Sequence, residues 1–192
     1  MKHTDREQEL IELFITGDKH AMRRLYDEWA NYLTAVCMRY IPDPDLRKDI
    51  LQEALIKIYS GITSFNWRGP GSLKAWMARI VANEALQQIR REKHSIFEDR
   101  ELTGAETLQA AETLSPEETV DDIPLPTLLE MISALPEGYR VVFNLYVFEN
   151  MSHKEIAQTL GIKENSSASQ FHRAKHLLAM QVKEWRHRHA DR

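Results

Sequence analysis

Residues 5 to 96 read as a run of helices, in which apolar side chains recur three and four positions apart, the pattern of helices that bury one face. Met22, Leu25, Tyr26, Trp29, Leu33, Val36, Cys37 and Tyr40 form one stripe, for which Asp18 is the expected N-cap. Pro42 and Pro44 stop that helix, because a proline removes an amide donor and clashes with the preceding turn. Leu46, Ile50, Ala54, Leu55, Ile58 and Ile62 form a second stripe. A third opens with Leu73, Trp76, Met77, Ile80 and Val81 and runs to Ile89, with Ser72 placed to cap it. Between the second and third lies SFNWRGPGS, rich in breakers and aromatics. Three such stripes can bury one another as a small bundle.

Past residue 95 the periodicity is lost, and prolines stand at 116, 124 and 126. A structureless run of that length is unusual inside one domain and reads instead as a linker between two. Helical spacing then returns. Pro136 is placed as the first residue of a helix bearing Tyr139, Val142, Phe143 and Tyr146. Ser152 and Glu155 have capping-box spacing, and Gly161 stops the short helix that they open. Another helix starts near Glu164 or Asn165, with Phe171, Ala174, Leu178, Val182 and Trp185 inward. Short helix, glycine turn, longer helix is the helix-turn-helix arrangement, with Ile156, Ala157, Leu160 and Ile162 locking the pair. The expected fold is all-α: two small helical domains, 1–95 and 127–192, joined by an acidic flexible linker, 96–126, with the helix-turn-helix in the C-terminal domain.

Composition agrees, since 43% of residues are hydrophobic and only seven glycines and seven prolines interrupt 192 positions. The single cysteine, Cys37, excludes an intramolecular disulfide and reads as a small buried hydrophobe, in keeping with a reducing, cytoplasmic location. No apolar run reaches the roughly 18 residues of a membrane span, so no membrane insertion is expected, and the charged start MKHTDREQEL is no secretory signal. The net charge of −4 hides a segregation. Residues 68–94 carry six Lys/Arg against two Glu, and residues 163–192 carry seven against three acids, each segment at +4. Between them, residues 95–122 hold nine acids against Arg100 alone, at −8. A polyanion meets the local potential, not the total.

The candidate chemistry follows those basic segments. Outward on the second helix of the helix-turn-helix stand the short side chains Asn165, Ser166, Ala168 and Ser169, then His172, Arg173 and Lys175, suited to a DNA groove. Lys183, Arg186, Arg188 and Arg192 add a phosphate-attracting tail. Phe65 and Trp67 beside Arg79, Arg90 and Arg91 suit single-stranded nucleic acid, whose bases stack on rings while cations hold phosphates. Trp76 belongs to the buried stripe; Trp67 is either a base platform or a packed loop anchor. Catalysis finds no support. His172 and His176 have metal spacing without further ligands, and Glu117 and Glu118 lie in the linker. No enzyme activity, cofactor or metal is expected. A DNA-binding regulator acting alone and a helical adaptor remain as alternatives on the residues themselves.

These motifs, in this order, resemble one family: the extracytoplasmic-function (ECF) sigma factors of bacterial RNA polymerase. GDKHAMRRLYDEW resembles its opening helices, and DILQEALIKIY its polymerase-clamp helix. LKAWMARIVANEALQQIRREK resembles its minus-ten helix; ISALPEGYRVVFNLYVFENMSHKEIAQTLGI and SASQFHRAKHLL are similar to its minus-thirty-five domain. The resemblance implies that Asp49, Gln52 and Glu53 face core polymerase. It implies that Phe65, Asn66, Trp67, Ile80 and Asn83 receive a base flipped from the minus-ten element, with Arg90 and Arg91 on phosphates. Ala168, Ser169, His172 and Arg173 would read the minus-thirty-five element, beside Asn165 on the same helix. The acidic linker would thread the polymerase's nucleic-acid channel. Core RNA polymerase, promoter DNA in double-stranded and melted form, and an anti-sigma factor are the implied partners. The chain departs from the pattern at Gln87, where an aspartate is common, and at Ala168, where a lysine or arginine is often found.

Overall fold

Eight helices and one 3-10 turn make up the regular structure of the computed structural model, which describes residues 3–92 and 122–189. No strand occurs among the described residues. Most of the expected linker lies outside them. The chain divides into two compact units, Met1–Arg90 and Arg91–Arg192.

In the first unit, α1 (His3–Ile15), α2 (Ala21–Met38), α3 (Pro44–Gly61) and α4 (Ser72–Glu92) close around one core. Leu10, Leu25, Leu33, Tyr40, Ile58, Ile62, Leu73, Met77 and Val81 are fully buried in it. The three expected stripes therefore face inward, with one exception. Tyr26, at the rim of its stripe, is 57% exposed. α1 supplies a fourth stripe, Leu10, Ile11 and Phe14, which the sequence reading did not single out.

The helix starts are satisfied differently from expectation. α2 begins at Ala21 and Asp18 is not its N-cap; instead its carboxylate accepts from His20 N at 2.7 Å, closing a turn just ahead of the helix. Asp43 caps α3, accepting from Asp45 N and Leu46 N at 2.9 and 2.8 Å, with Pro44 as the first helical residue. Proline there costs nothing, since that amide has no partner within the helix.

The second unit holds α5 (Leu125–Ser133), α6 (Glu137–Val147), α7 (His153–Leu160) and α8 (Glu164–His189). Leu135, Val141, Val142, Leu145, Ile156 and Ala174 form the core that holds α6, α7 and α8 together. Pro136 occupies the N-cap position of α6, one residue earlier than expected. The buried Arg140 donates to the carbonyls of Leu135 and Ser133 at 2.7 and 3.2 Å, satisfying acceptors at the end of α5. The expected capping box is present: Ser152 Oγ accepts from Glu155 N, and Ser152 N donates to Glu155 Oε2 at 2.8 Å. Gly161 ends α7 at φ +70°, a backbone region that a side chain disfavours.

The last residues assigned to the linker belong to this unit. Ile123 is buried with Met131 and Val182, under Leu128, Leu178 and Trp185. Asp122 receives both Nε and Nη2 of Arg186, at 2.9 and 2.8 Å. Pro124 and Pro126, read as breakers, instead open α5. Both prolines suit a first turn as well as they suit a linker.

Two outcomes follow. Cys37 has no exposure, and burial pushes its thiol up to about 12 against the weaker opposing charge of Arg47. A thiol reagent at pH 8 therefore reacts only after denaturation, because the thiolate is the nucleophile. Glu155 is held below its ordinary 4.5 by the Ser152 hydroxyl and amide, and Asp122 below its ordinary 3.8 chiefly by its hydrogen bonds from Arg186. Their contributions are present above those ordinary values and are lost as pH falls through the lowered ones. Acid titration followed at the Trp185 indole resonance should lower the second unit's unfolding midpoint, and Glu155→Gln with Asp122→Asn should flatten that dependence.

Candidate nucleic-acid interfaces

The loop between α3 and α4 is held by its own polar atoms. Phe65 N closes the 3-10 turn Ile62–Ser64 on the Ile62 carbonyl at 3.1 Å. Arg68 N donates to Ser72 Oγ at 3.2 Å, and that hydroxyl donates to Gly69 O at 2.7 Å. Gly69 and Gly71 adopt φ of +123° and +82°. Phe65 is half-buried against Trp76, ring centroids 5.1 Å apart. Trp76 in turn lies over Gly61, where an added Cβ would stand 3.0 Å from its ring. Trp67 is half-buried with its indole N–H enclosed and unpartnered, and Asn66 is exposed.

On α4, spacing of three and four brings Ile80, Asn83, Gln87, Arg90 and Arg91 to one face. Ile80 is half-buried and the other four are exposed. The same spacing on α3 gathers Asp49, Gln52 and Glu53, all exposed, with Ile56 and Tyr59. Those two apolar side chains are 53% and 57% exposed, with Tyr59 edge-on to Phe14 at 5.8 Å. The sequence reading missed them as surface residues. Their place three, four and seven positions from the named polar residues, off the buried stripe, was the available signal.

In the second unit, Ala168, Ser169, His172 and Arg173 line a shallow depression of about 300 Å³ on α8, with Asn165 exposed one turn earlier. Arg173 Nη1 donates to Tyr139 Oη at 3.2 Å, so α6 restrains the guanidinium. The α7–α8 crossing is set by His153, whose Nδ1 lies 3.0 Å from the buried Ser167 Oγ and whose ring stacks on Tyr146 at 4.7 Å. Among the described residues, no three His, Cys, Asp or Glu side chains gather as a metal site requires. Part of the basic tail has partners within the unit. Arg186 is engaged by Asp122, and Arg188 lies 3.8 Å from Glu184. Arg186 is thus drawn against its own unit, while Lys183 and Arg188 remain exposed. Arg192 lies outside the described residues.

One of the two helical units presents a helix-turn-helix face, and the other a loop and a helix edged by arginines. Residues 25–95 match the family model "Sigma-70 region 2", and residues 126–178 match "Sigma-70, region 4". The chain is 29% identical over 174 residues to the ECF RNA polymerase sigma factor SigW of Bacillus subtilis, covering 88% of this chain and 92% of that one. It is 29% identical to the ECF RNA polymerase sigma-E factor of Escherichia coli K12, covering 92% and 94%. To the RNA polymerase sigma-H factor of Pseudomonas aeruginosa it is 26% identical, covering 89% and 91%. The chain belongs to the extracytoplasmic-function sigma factors.

Gly71→Ala should destabilise the first unit by about 1–2 kcal/mol, the cost of a side chain in a left-handed backbone conformation. Nothing lies within 4 Å of the added Cβ, so the cost is that of the backbone alone. Urea denaturation followed by circular dichroism measures it.

Proposed function

We propose that this chain binds core RNA polymerase and directs it to promoter DNA, reading paired bases with one unit and capturing an unpaired strand with the other. The observation that carries the reading is the presence of regions 2 and 4 in one chain, each with an outward face of the required chemistry. A helix-turn-helix regulator acting without polymerase has no need of the region 2 half, and is not favoured. The domain assignment follows: residues 1–95 for polymerase and the minus-ten element, the acidic stretch from 96 up to Asp122 as the connection, and the residues from Asp122 onward for the minus-thirty-five element.

Each step has a physical basis. Asp49, Gln52 and Glu53, with Ile56 and Tyr59 beside them, offer core polymerase an acidic, amide-bearing face with an apolar centre, which suits a basic partner helix. Asn165, Ala168, Ser169, His172 and Arg173 approach the major groove of duplex DNA, where short side chains let the helix come close. Extruding a base costs a few kcal/mol of stacking, which Phe65, Asn66, Trp67, Ile80 and Asn83 recover by enclosing it. Arg90 and Arg91 hold the flanking phosphates. The connection at −8 stands in for nucleic acid in the polymerase channel. Two modest DNA surfaces on a tether add little until polymerase fixes their separation, so the isolated chain binds promoters weakly. Bond-making belongs to polymerase, the place of action is the cytoplasm, and an anti-sigma factor remains the regulatory partner that family resemblance suggests.

Run-off transcription with core polymerase and genomic fragments tests the reading: discrete transcripts should appear only when this chain is added. Their absence at every fragment would refute it. On the template so found, Arg173→Ala should weaken promoter binding by about 1–3 kcal/mol and relax selectivity at one position of the upstream element. A quantitative footprint across single-base promoter variants measures both.

A further inference from the structure

Glu7 lies in α1, ahead of the residues 25–95 that match region 2, yet it reaches the start of the minus-ten helix. It is only 3% exposed. Its Oε2 accepts from Gly71 N at 3.1 Å and Leu73 N at 3.4 Å, and its Oε1 accepts from Lys74 N at 3.3 Å. The first amides of a helix have no partner within it, and an anion beside them also meets the positive end of the helix dipole. The neighbouring donors are already used: Ser72 N and Ala75 N bond to the carbonyls of Gly69 and Gly71 at 3.1 and 2.9 Å. Glu7 thus completes the amide accounting of this helix start. One carboxylate ties together the last loop residue, the first turn of α4 and the remote helix α1.

The rest of α4 does not need this tie to remain in the bundle. Leu73, Met77, Val81, Ala85 and Ile89 are buried along its length. What Glu7 restrains is the junction where the loop bearing Phe65, Asn66 and Trp67 meets the helix bearing Ile80 and Asn83. We infer that Glu7 is a positioning residue for strand capture, holding the loop and the helix start in the arrangement that receives the unpaired base. The inference rests on the reading of that surface under Proposed function. Capture is the step most sensitive to it, because a pocket formed before binding avoids the entropy of ordering a loop on the strand.

The test uses the full chain assembled with core polymerase. The probe is a fluorescent single-stranded oligonucleotide, the non-template strand of a promoter recovered by run-off transcription, with a second version abasic at the captured position. Glu7→Ala should bind core polymerase within about twofold of wild type while its affinity for the strand falls about tenfold, the scale of ordering one or two loop side chains on binding. Its preference for the intact strand over the abasic one should shrink in parallel. Glu7→Gln, equal in size and retaining one acceptor, should fall between, and it replaces Glu7→Ala if that variant loses helical signal. Unchanged strand affinity and base preference would overturn the inference, as would a loss of polymerase and strand binding in equal measure. If the wild-type assembly itself distinguishes no strand, the reading of the surface fails, a result separable from failure of the Glu7 role alone.

Discussion

A helix in a protein draws most of its stability from packing an amphipathic face, so each one here buries an apolar stripe against its neighbours. That demand assigns every helix an inner and an outer face, and each functional surface is what the packing leaves over. On α3, burial of Ile50, Ala54 and Ile58 turns Asp49, Gln52, Glu53 and Ile56 outward together. On α4, burial of Met77, Val81 and Ala85 aligns Asn83, Gln87, Arg90 and Arg91. On α8, burial of Ser167 and Ala174 presents Ala168, Ser169 and His172. The core thereby sets which side chains each helix turns outward.

Helix ends impose a second demand, since buried backbone groups must find partners. Asp43 and the Ser152–Glu155 pair meet it from within two or three residues, as local capping usually does. Arg140 and Glu7 meet it across the fold, one serving the carbonyls that end α5 and the other the amides that begin α4. Local caps fix where a helix starts. Remote ones also fix what it starts against.

This difference explains what could be read from the chain. The stripes of α2, α3 and α4, the capping box and the Gly161 turn follow from spacing within a few residues, and all were legible. The exposure of the polar residues opposite was legible too, as the complement of those stripes, whereas that of Ile56 and Tyr59 was not. Glu7 was not: a glutamate in a charged N-terminal segment looks like a solvated one, and its partners are 64 to 67 residues away. The partner of Arg186 was hidden for the same reason, since a basic tail looks free until Asp122 is brought to it. Ile123 and the prolines opening α5 were absorbed into the linker because an acidic, proline-bearing composition ran across the boundary. Tyr26 shows the converse error, an aromatic at the margin of a stripe that packing left outside.

The clasp between Asp122 and Arg186 bears on a boundary. Two parallel hydrogen bonds fix orientation as well as distance, so the peptide enters the second unit in a set direction. The fold of the second unit therefore begins at Asp122, not after Pro126. Where this unit starts is thus decided by one guanidinium gripping one carboxylate.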